Sequence, residues 1–349
     1  RPRPRAAATA LALTAVVTAA VTPAPGAAQQ LYDFGTAFGR ATAVAGDQLL
    51  VGQPQNVLRP GEVYVFGQGG DGWTVSQTLT ASDAEPSDGF GRALAARGDW
   101  MLVGAPPAAD GAGAAYLFRR GTAGWEERAR LEATAGAAAL GSAVAVGERF
   151  VAVVEQSPDG ERVRVLAYGS DGTLTLDGVF TGRDGDDRFG GALAFVGDDA
   201  LVVCGADSEG MTFLDLHVRD GDGWATPTRV STGAPLSSSG GLLSQDPYKE
   251  CALAASGDRV AVGTRLADGG RGAVTTYRLG DGADELVQEG VLSAPEGAMG
   301  GFGTSVALAG DAAWVGAPNT GGQMGAVARF EHGPDGWGEA EVVRGPGTD

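Results

Sequence analysis

Short runs of alternating small and branched apolar residues, each broken by a glycine turn, recur along this chain. Residues 38–54 read FGRATAVAGDQLLVGQP, 90–106 read FGRALAARGDWMLVGAP and 302–318 read FGTSVALAGDAAWVGAP. In all three, Gly-Asp begins eight residues after the phenylalanine, glycine returns at fourteen and proline at sixteen. Two apolar runs joined by a two-residue glycine turn predict a β-hairpin. Weaker copies begin near 139, 189 and 249. They keep the Gly-Asp or Gly-Glu turn and the run after it, and lose the Phe-Gly, the Gly-Ala-Pro or both. A second β-rich run follows in every copy: GEVYVF (61–66), GAAYLF (113–118), RVRVLAY (162–168), MTFLDLHV (211–218), GAVTTYRL (272–279) and GAVARF (325–330). A polar turn, often DGW, then leads to a last strand that starts at Trp73, Trp125, Trp224 and Trp337 in four copies.

Four short strands per repeat and six repeats predict an all-β fold, a β-propeller of about six four-stranded antiparallel blades, with seven as the alternative. No sustained helical period interrupts the pattern, so helix should be scarce. The first strand of each copy is rich in Ala and Val, which suits inner strands that converge on an axis. The tryptophans fall on the last strands, where blades diverge. Repeats starting near 38, 90, 139, 189, 249 and 302 make residues 29–349 a single propeller. A length of 349 residues would otherwise suggest two or three domains.

The pattern resembles the FG-GAP repeat family, the blades of integrin alpha-subunit propellers and of many bacterial secreted proteins. The residues that carry the resemblance are Phe38-Gly39 with Gly52 to Pro54, Phe90-Gly91 with Gly104 to Pro106, and Phe302-Gly303 with Gly316 to Pro318, while Phe189-Gly190 holds the same repeat position in a weaker copy. The linker LTASDAEPSDGFG (79–91) also looks like that of the bacterial branch. The resemblance implies the fold and says little about activity. Integrin-type blades often hold calcium in an Asp-rich loop between the two motifs. Here a bare Gly-Asp or Gly-Glu hairpin fills that space, too short to supply six or more oxygen ligands. Integrin propellers also have seven blades, against the six counted here.

Charge and the N-terminus narrow the setting. Arg1, Arg3 and Arg5 precede an uncharged run from Ala6 to Val21 and the small residues Gly26 and Ala28. This is the three-part layout of a cleavable secretory signal over residues 1–28, and the run is too short and alanine-rich to span a bilayer. The protein is therefore expected to be secreted, periplasmic or extracellular, with no membrane insertion after signal removal. The formal net charge is -18. Such acidity repels phosphate backbones, so nucleic acid is excluded as a partner class.

Candidate chemistry is sparse. Asp184, Asp186 and Asp187 share one loop and form a weak calcium candidate, the other reading being a solvated inter-blade turn. Asp220 and Asp222 sit at a hairpin position that recurs in other copies. His217 and His332 each lack a second histidine nearby for a zinc site. No Gly-x-Ser-x-Gly elbow occurs. Cys204 and Cys251 fall in adjacent copies and could pair or remain two separate thiols. The insert 231–250 reads as the longest irregular segment and a candidate specificity loop. No cofactor is required, although calcium stays open. The expected function is a secreted, non-enzymatic, monomeric module that binds or scaffolds an extracellular protein or glycan. Two other classes remain: a propeller hydrolase or lyase with a funnel-mouth carboxylate or calcium site, and a structural envelope or matrix component.

Overall fold

Each repeat folds as a four-stranded antiparallel meander, because tight glycine turns return the chain beside itself. The computed structural model describes residues 37–54, 59–70, 72–107, 111–235, 251–320 and 325–344. The signal-like segment, residues 29–36 and residues 236–250 lie outside that set. Blade 1 holds β1 (Thr42–Ala45), β2 (Gln48–Gln53), β3 (Glu62–Gly69) and β4 (Gly72–Leu79). Blade 2 holds β5 (Ala93–Arg97), β6 (Trp100–Ala105), β7 (Ala114–Gly121) and β8 (Gly124–Glu132). Blade 3 holds β9 (Val144–Val146), β10 (Phe150–Ser157), β11 (Gly160–Tyr168) and β12 (Leu174–Thr181). Blade 4 holds β13 (Asp186–Val196), β14 (Ala200–Asp207), β15 (Met211–Asp220) and an outer strand split into β16 (Gly223–Trp224) and β17 (Thr228–Pro235). Blade 5 holds β18 (Ala252–Ser256), β19 (Arg259–Thr264), β20 (Ala273–Leu279) and β21 (Leu286–Ser293). Blade 6 holds β22 (Ser305–Ala309), β23 (Ala312–Ala317), β24 (Ala326–Gly333) and another split outer strand, β25 (Gly336–Trp337) and β26 (Glu341–Arg344).

The six blades form a propeller ring. Their innermost strands neighbour one another in the order β1, β5, β9, β13, β18, β22. The one helical turn among the described residues is Ala267–Gly270, in the β19–β20 loop. Residues 231–235, expected to be irregular, instead finish the outer strand of blade 4, with Ser231 opposite Phe213 and Pro235 opposite Met211. Strand pairing captured them because β15 presented an open edge after the two-residue β16.

The core is a series of inter-blade layers. Five buried clusters each join two successive blades, from blades 1 and 2 to blades 5 and 6. The repeat motif explains how closely they stack. Within a blade, the Gly91 amide donates to the Gly104 carbonyl at 3.2 Å. Across a seam, the Gly91 carbonyl lies against the Cα of Gly52, so a Cβ on Gly52 would overlap it. Gly91 itself has φ +87°, a left-handed conformation that only glycine adopts cheaply. The same seating recurs at Gly104 on Gly141 and at Gly263 on Gly303. Phe90, Phe189 and Phe302 plug the seams beside these glycines and are buried. Pro106 is buried as well.

One covalent link ties two blades. Cys204 on β14 is disulfide-bonded to Cys251, just before β18, with Cα atoms 6.4 Å apart. Both residues lie in the blade 4–blade 5 cluster.

The seam glycines and the disulfide each carry a stability expectation. Gly104→Ala should cost about 3 kcal/mol by overpacking the seam, whereas Gly67→Ala, with open space around it, should be near neutral. Equal urea midpoints for the two variants would refute the glycine-seat account. Replacing both cysteines by serine should lower stability by about 4 kcal/mol, the loop-closure value for a separation of 47 residues; chemical denaturation against the oxidised parent measures it.

Candidate functional site

The Gly-Asp and Gly-Glu turns that close the inner hairpins place acids where neighbouring blades can reach them. Arg97 of blade 2 reaches Glu148 of blade 3 at 2.7 Å. Arg120 of blade 2 reaches back to Asp47 of blade 1 at 3.2 Å. Arg149 of blade 3 pairs with Asp199 of blade 4. Arg259 of blade 5 pairs with Asp311 of blade 6 at 2.9 Å. At the blade 4–blade 5 seam a backbone bond substitutes, from the Gly197 amide to the Gly257 carbonyl at 2.8 Å. The outer tryptophans fasten the rim. Trp125, Trp224 and Trp337 donate their indole N–H to Gln48, Asp177 and Thr276 of the preceding blade at 2.7 to 2.9 Å.

The densest charged cluster lies in the blade 3–blade 4 seam. Phe213, Asp215 and His217 alternate along β15, so they share one face. Phe213 joins the cluster with blade 3, and His217 stacks on Phe180 of β12 with ring centroids 3.9 Å apart. Arg229 of β17, directly opposite Asp215, binds both Asp215 oxygens at 2.6 and 2.7 Å and both Asp186 oxygens at 2.7 and 2.8 Å. Its guanidinium carbon sits 3.4 Å over the Phe213 ring. Burial opposes ionisation of Asp186, yet Arg229 and the Arg183 amide outweigh it and hold its carboxyl below the usual range. Burial lowers the His217 pKa to about 4, with Asp215 opposing and Arg183 and Arg229 adding to the shift. His217 is buried and its Nε2 has no hydrogen-bond partner.

A parallel arrangement occupies the blade 2–blade 3 seam. Glu155 on β10 is fully buried and accepts from the amide and hydroxyl of Thr134 and from Arg162 at 2.6 Å and Arg164 at 3.4 Å. Burial raises its pKa, but these donors bring it below the usual value. Beside it opens a rim groove of about 490 Å³ between β8, β11 and the β11–β12 turn. Arg128, Arg164, Asp171, Thr173, Leu174 and Leu176 contribute to its wall. Asp171 accepts from both the amide and the hydroxyl of Thr173, which lowers its pKa. The groove thus mixes cationic, hydroxyl and carboxylate groups with exposed leucine surface.

The three aspartates singled out as a calcium candidate stand in different surroundings. Asp186 is tied to Arg229, while Asp184 and Asp187 are exposed. No group of three His, Cys, Asp or Glu residues with metal-binding geometry occurs among the described residues. Asp220 and Asp222 lie exposed at the β15–β16 turn. His332 faces Arg259 at 3.1 Å and Glu289 at 3.9 Å. Glu155, Asp215 and Arg229 were not legible as a set. The usable signal was an acid at an inward position of an apolar strand, as in VAVVEQ and MTFLDL.

Known proteins resemble this chain at the level of the fold. An FG-GAP repeat family matches residues 73–118, from the last strand of blade 1 through the third strand of blade 2. No curated protein matches the chain by sequence. Among solved structures, a candidate 6-phosphogluconolactonase from Bacteroides fragilis is similar at a TM-score of 0.56 and 10% identity, over 87% of this chain and 83% of that one. SapL1 lectin in complex with alpha methyl fucoside is similar at a TM-score of 0.51 and 14% identity, over 89% and 97%. An arginine-to-alanine mutant of AofleA from Arthrobotrys oligospora is similar at 0.52 and 10%, over 89% of each chain. At these identities the likeness concerns the fold.

The buried histidine gives a pH signature. In the unfolded chain His217 titrates near its ordinary 6.5, and in the folded chain near about 4. Above pH 6.5 both states are neutral and the stabilisation is complete. As pH falls from 6.5 towards 4 only the unfolded state takes the proton, so stability drops by about 3 kcal/mol and then levels off. His217→Phe should remove this segment of the stability–pH curve; an unchanged slope between pH 6.5 and 4 would show that His217 is not its source.

Proposed function

We propose that this chain, an FG-GAP-like β-propeller, is a secreted binding module for an extracellular glycan or protein. The observation that carries the reading is the rim groove between blades 2 and 3. Its arginines carry N–H donors beyond those already bonded to Glu126, Glu132 and Glu155, Asp171 and the Thr173 oxygen offer acceptors, and Leu174 and Leu176 offer apolar contact. That combination suits a polyhydroxylated ligand, whose hydroxyls need paired donors and acceptors and whose C–H faces need apolar surface. The similar fold of SapL1, a lectin in complex with a fucoside, supports this ligand class.

The enzymatic rival would draw on Asp186, Asp215, Arg229 and His217, where acids, a guanidinium and a histidine converge. Asp186, Asp215 and Arg229 are engaged with one another in a seam and His217 is buried against Phe180, so these groups brace blade 4. The likeness to lactonase-type structures supplies fold and no site.

Binding of immobilised protein to a panel of extracellular glycans, with alpha methyl fucoside among the probes, tests the reading. Arg128→Ala and Thr173→Ala should each weaken a bound glycan about tenfold while leaving the melting temperature unchanged. Binding unaffected by both variants would remove the groove from the account. Turnover of a sugar lactone abolished by His217→Phe would favour the rival.

A further inference from the structure

The seam between blade 4 and blade 5 lacks the devices that close the other buried seams. The seams of blades 1–2, 2–3 and 5–6 each seat a glycine carbonyl on a glycine Cα. The seam of blades 3–4 has no such seat, but it keeps Phe189 as a plug, the Arg149–Asp199 pair and the Trp224 indole on Asp177. The seam of blades 4–5 has none of these. Cys204 lies opposite Ala192, the register position that Gly104, Gly263 and Gly316 hold opposite Ala93, Ala252 and Ser305. Lys249-Glu250 stands in the sequence where other copies carry Phe-Gly, and Cys251 follows at once. Among the described residues no ion pair and no indole hydrogen bond joins blade 4 to blade 5.

The disulfide stands in their place. Cys204 is fully buried and Cys251 nearly so, in an apolar layer with Val202, Leu214, Leu216 and Val260. Two uncharged hydrogen bonds accompany it. The Gly197 amide donates to the Gly257 carbonyl at 2.8 Å, and the Thr228 hydroxyl donates to the Asp284 carbonyl at 3.1 Å. One group in the layer opposes closure. Tyr277 is buried and its hydroxyl has no hydrogen-bond partner among the described residues. Parting the seam returns that hydroxyl to water, which favours opening. No buried cluster joins blade 6 to blade 1 among the described residues. The clusters therefore connect blades 5 and 6 to the first four blades through this seam.

We propose that the seam between blades 4 and 5 is a redox latch. Oxidised, the Cys204–Cys251 bond replaces the glycine seat and the phenylalanine plug and keeps blades 5 and 6 against blade 4. Reduced, this seam parts while the other buried seams stay closed. The reductant is a dithiol. Its thiolate attacks one sulfur of the bond to form a mixed disulfide, and its second thiol then displaces that sulfur. The reductant leaves as its own disulfide, two electrons pass to the protein, and Cys204 and Cys251 each end as a thiol. Unbonded sulfurs cannot remain at bonding distance, so reduction wedges the layer at the point where no repeat contact holds it. Local opening starts where few other contacts oppose it.

Alkylation and amide hydrogen exchange on the full chain test it. Cys204→Ser breaks the bond and leaves Cys251 as a reporter thiol. Val103→Cys, combined with Cys204→Ser and Cys251→Ser, puts a reference thiol in the buried layer between blades 1 and 2. Iodoacetamide in native buffer should modify Cys251 at least about tenfold faster than the reference thiol. Exchange should quicken in β14, β15, β19 and β20, which border the seam, and stay unchanged in β6, β7 and β10. Far-UV circular dichroism checks folding. If Cys204→Ser does not fold, the intact chain treated with dithiothreitol in native buffer gives the same exchange reading. Equal alkylation rates at the two thiols would overturn the proposal. Exchange that quickens alike in all six blades would overturn it too, because that reports global unfolding. So would a bond that dithiothreitol reduces only in denaturant.

Discussion

At the seams between blades 1 and 2, 2 and 3, and 5 and 6, a glycine carbonyl is set directly against a glycine Cα, and the close packing of this propeller rests on that contact. Gly52 and Gly91 meet with no room for a Cβ on the first, and Gly104 meets Gly141 in the same way. Blades this close can bury both faces of their middle strands, so β7 and β20 are apolar or threonine-lined and sealed on two sides. Phenylalanines fill the remaining wedge. The Phe-Gly and Gly-Ala-Pro signatures are thus two halves of one inter-blade contact, contributed by different repeats.

Charge is subordinate to that contact. An acidic chain would be expected to repel itself at a ring of hairpin acids. Instead most of those acids meet an arginine of the neighbouring blade. Deeper carboxylates, Glu155 and Asp215, are held by two or more donor groups each. A buried pair of this kind adds little net stability, but removing one partner strands a charge. These networks therefore fix which blade sits beside which, and the rim groove borrows its walls from one of them through Arg164.

The two end blades show what happens when the constraint is lifted. Among the described residues no buried cluster joins blade 6 to blade 1. Their outer faces keep the repeat's apolar residues but lack the cover those residues receive elsewhere. Trp73 and Trp125 are the same residue at the same repeat position, and only the second has a neighbour to bury it.

Local pattern alone was enough to read the repeats, their strands and turns, and hence the propeller, because alternation and glycine spacing act over a few residues. It also marked Cys204 and Cys251 as neighbours worth pairing, without deciding the bond. Three-dimensional packing was needed to learn that Asp186 serves Arg229, that Asp215 and His217 share a buried face with Phe213, and that residues 231–235 complete a strand. Those outcomes depend on which side chains converge across a seam from positions tens of residues apart, and strand periodicity fixes only the face on which each one stands.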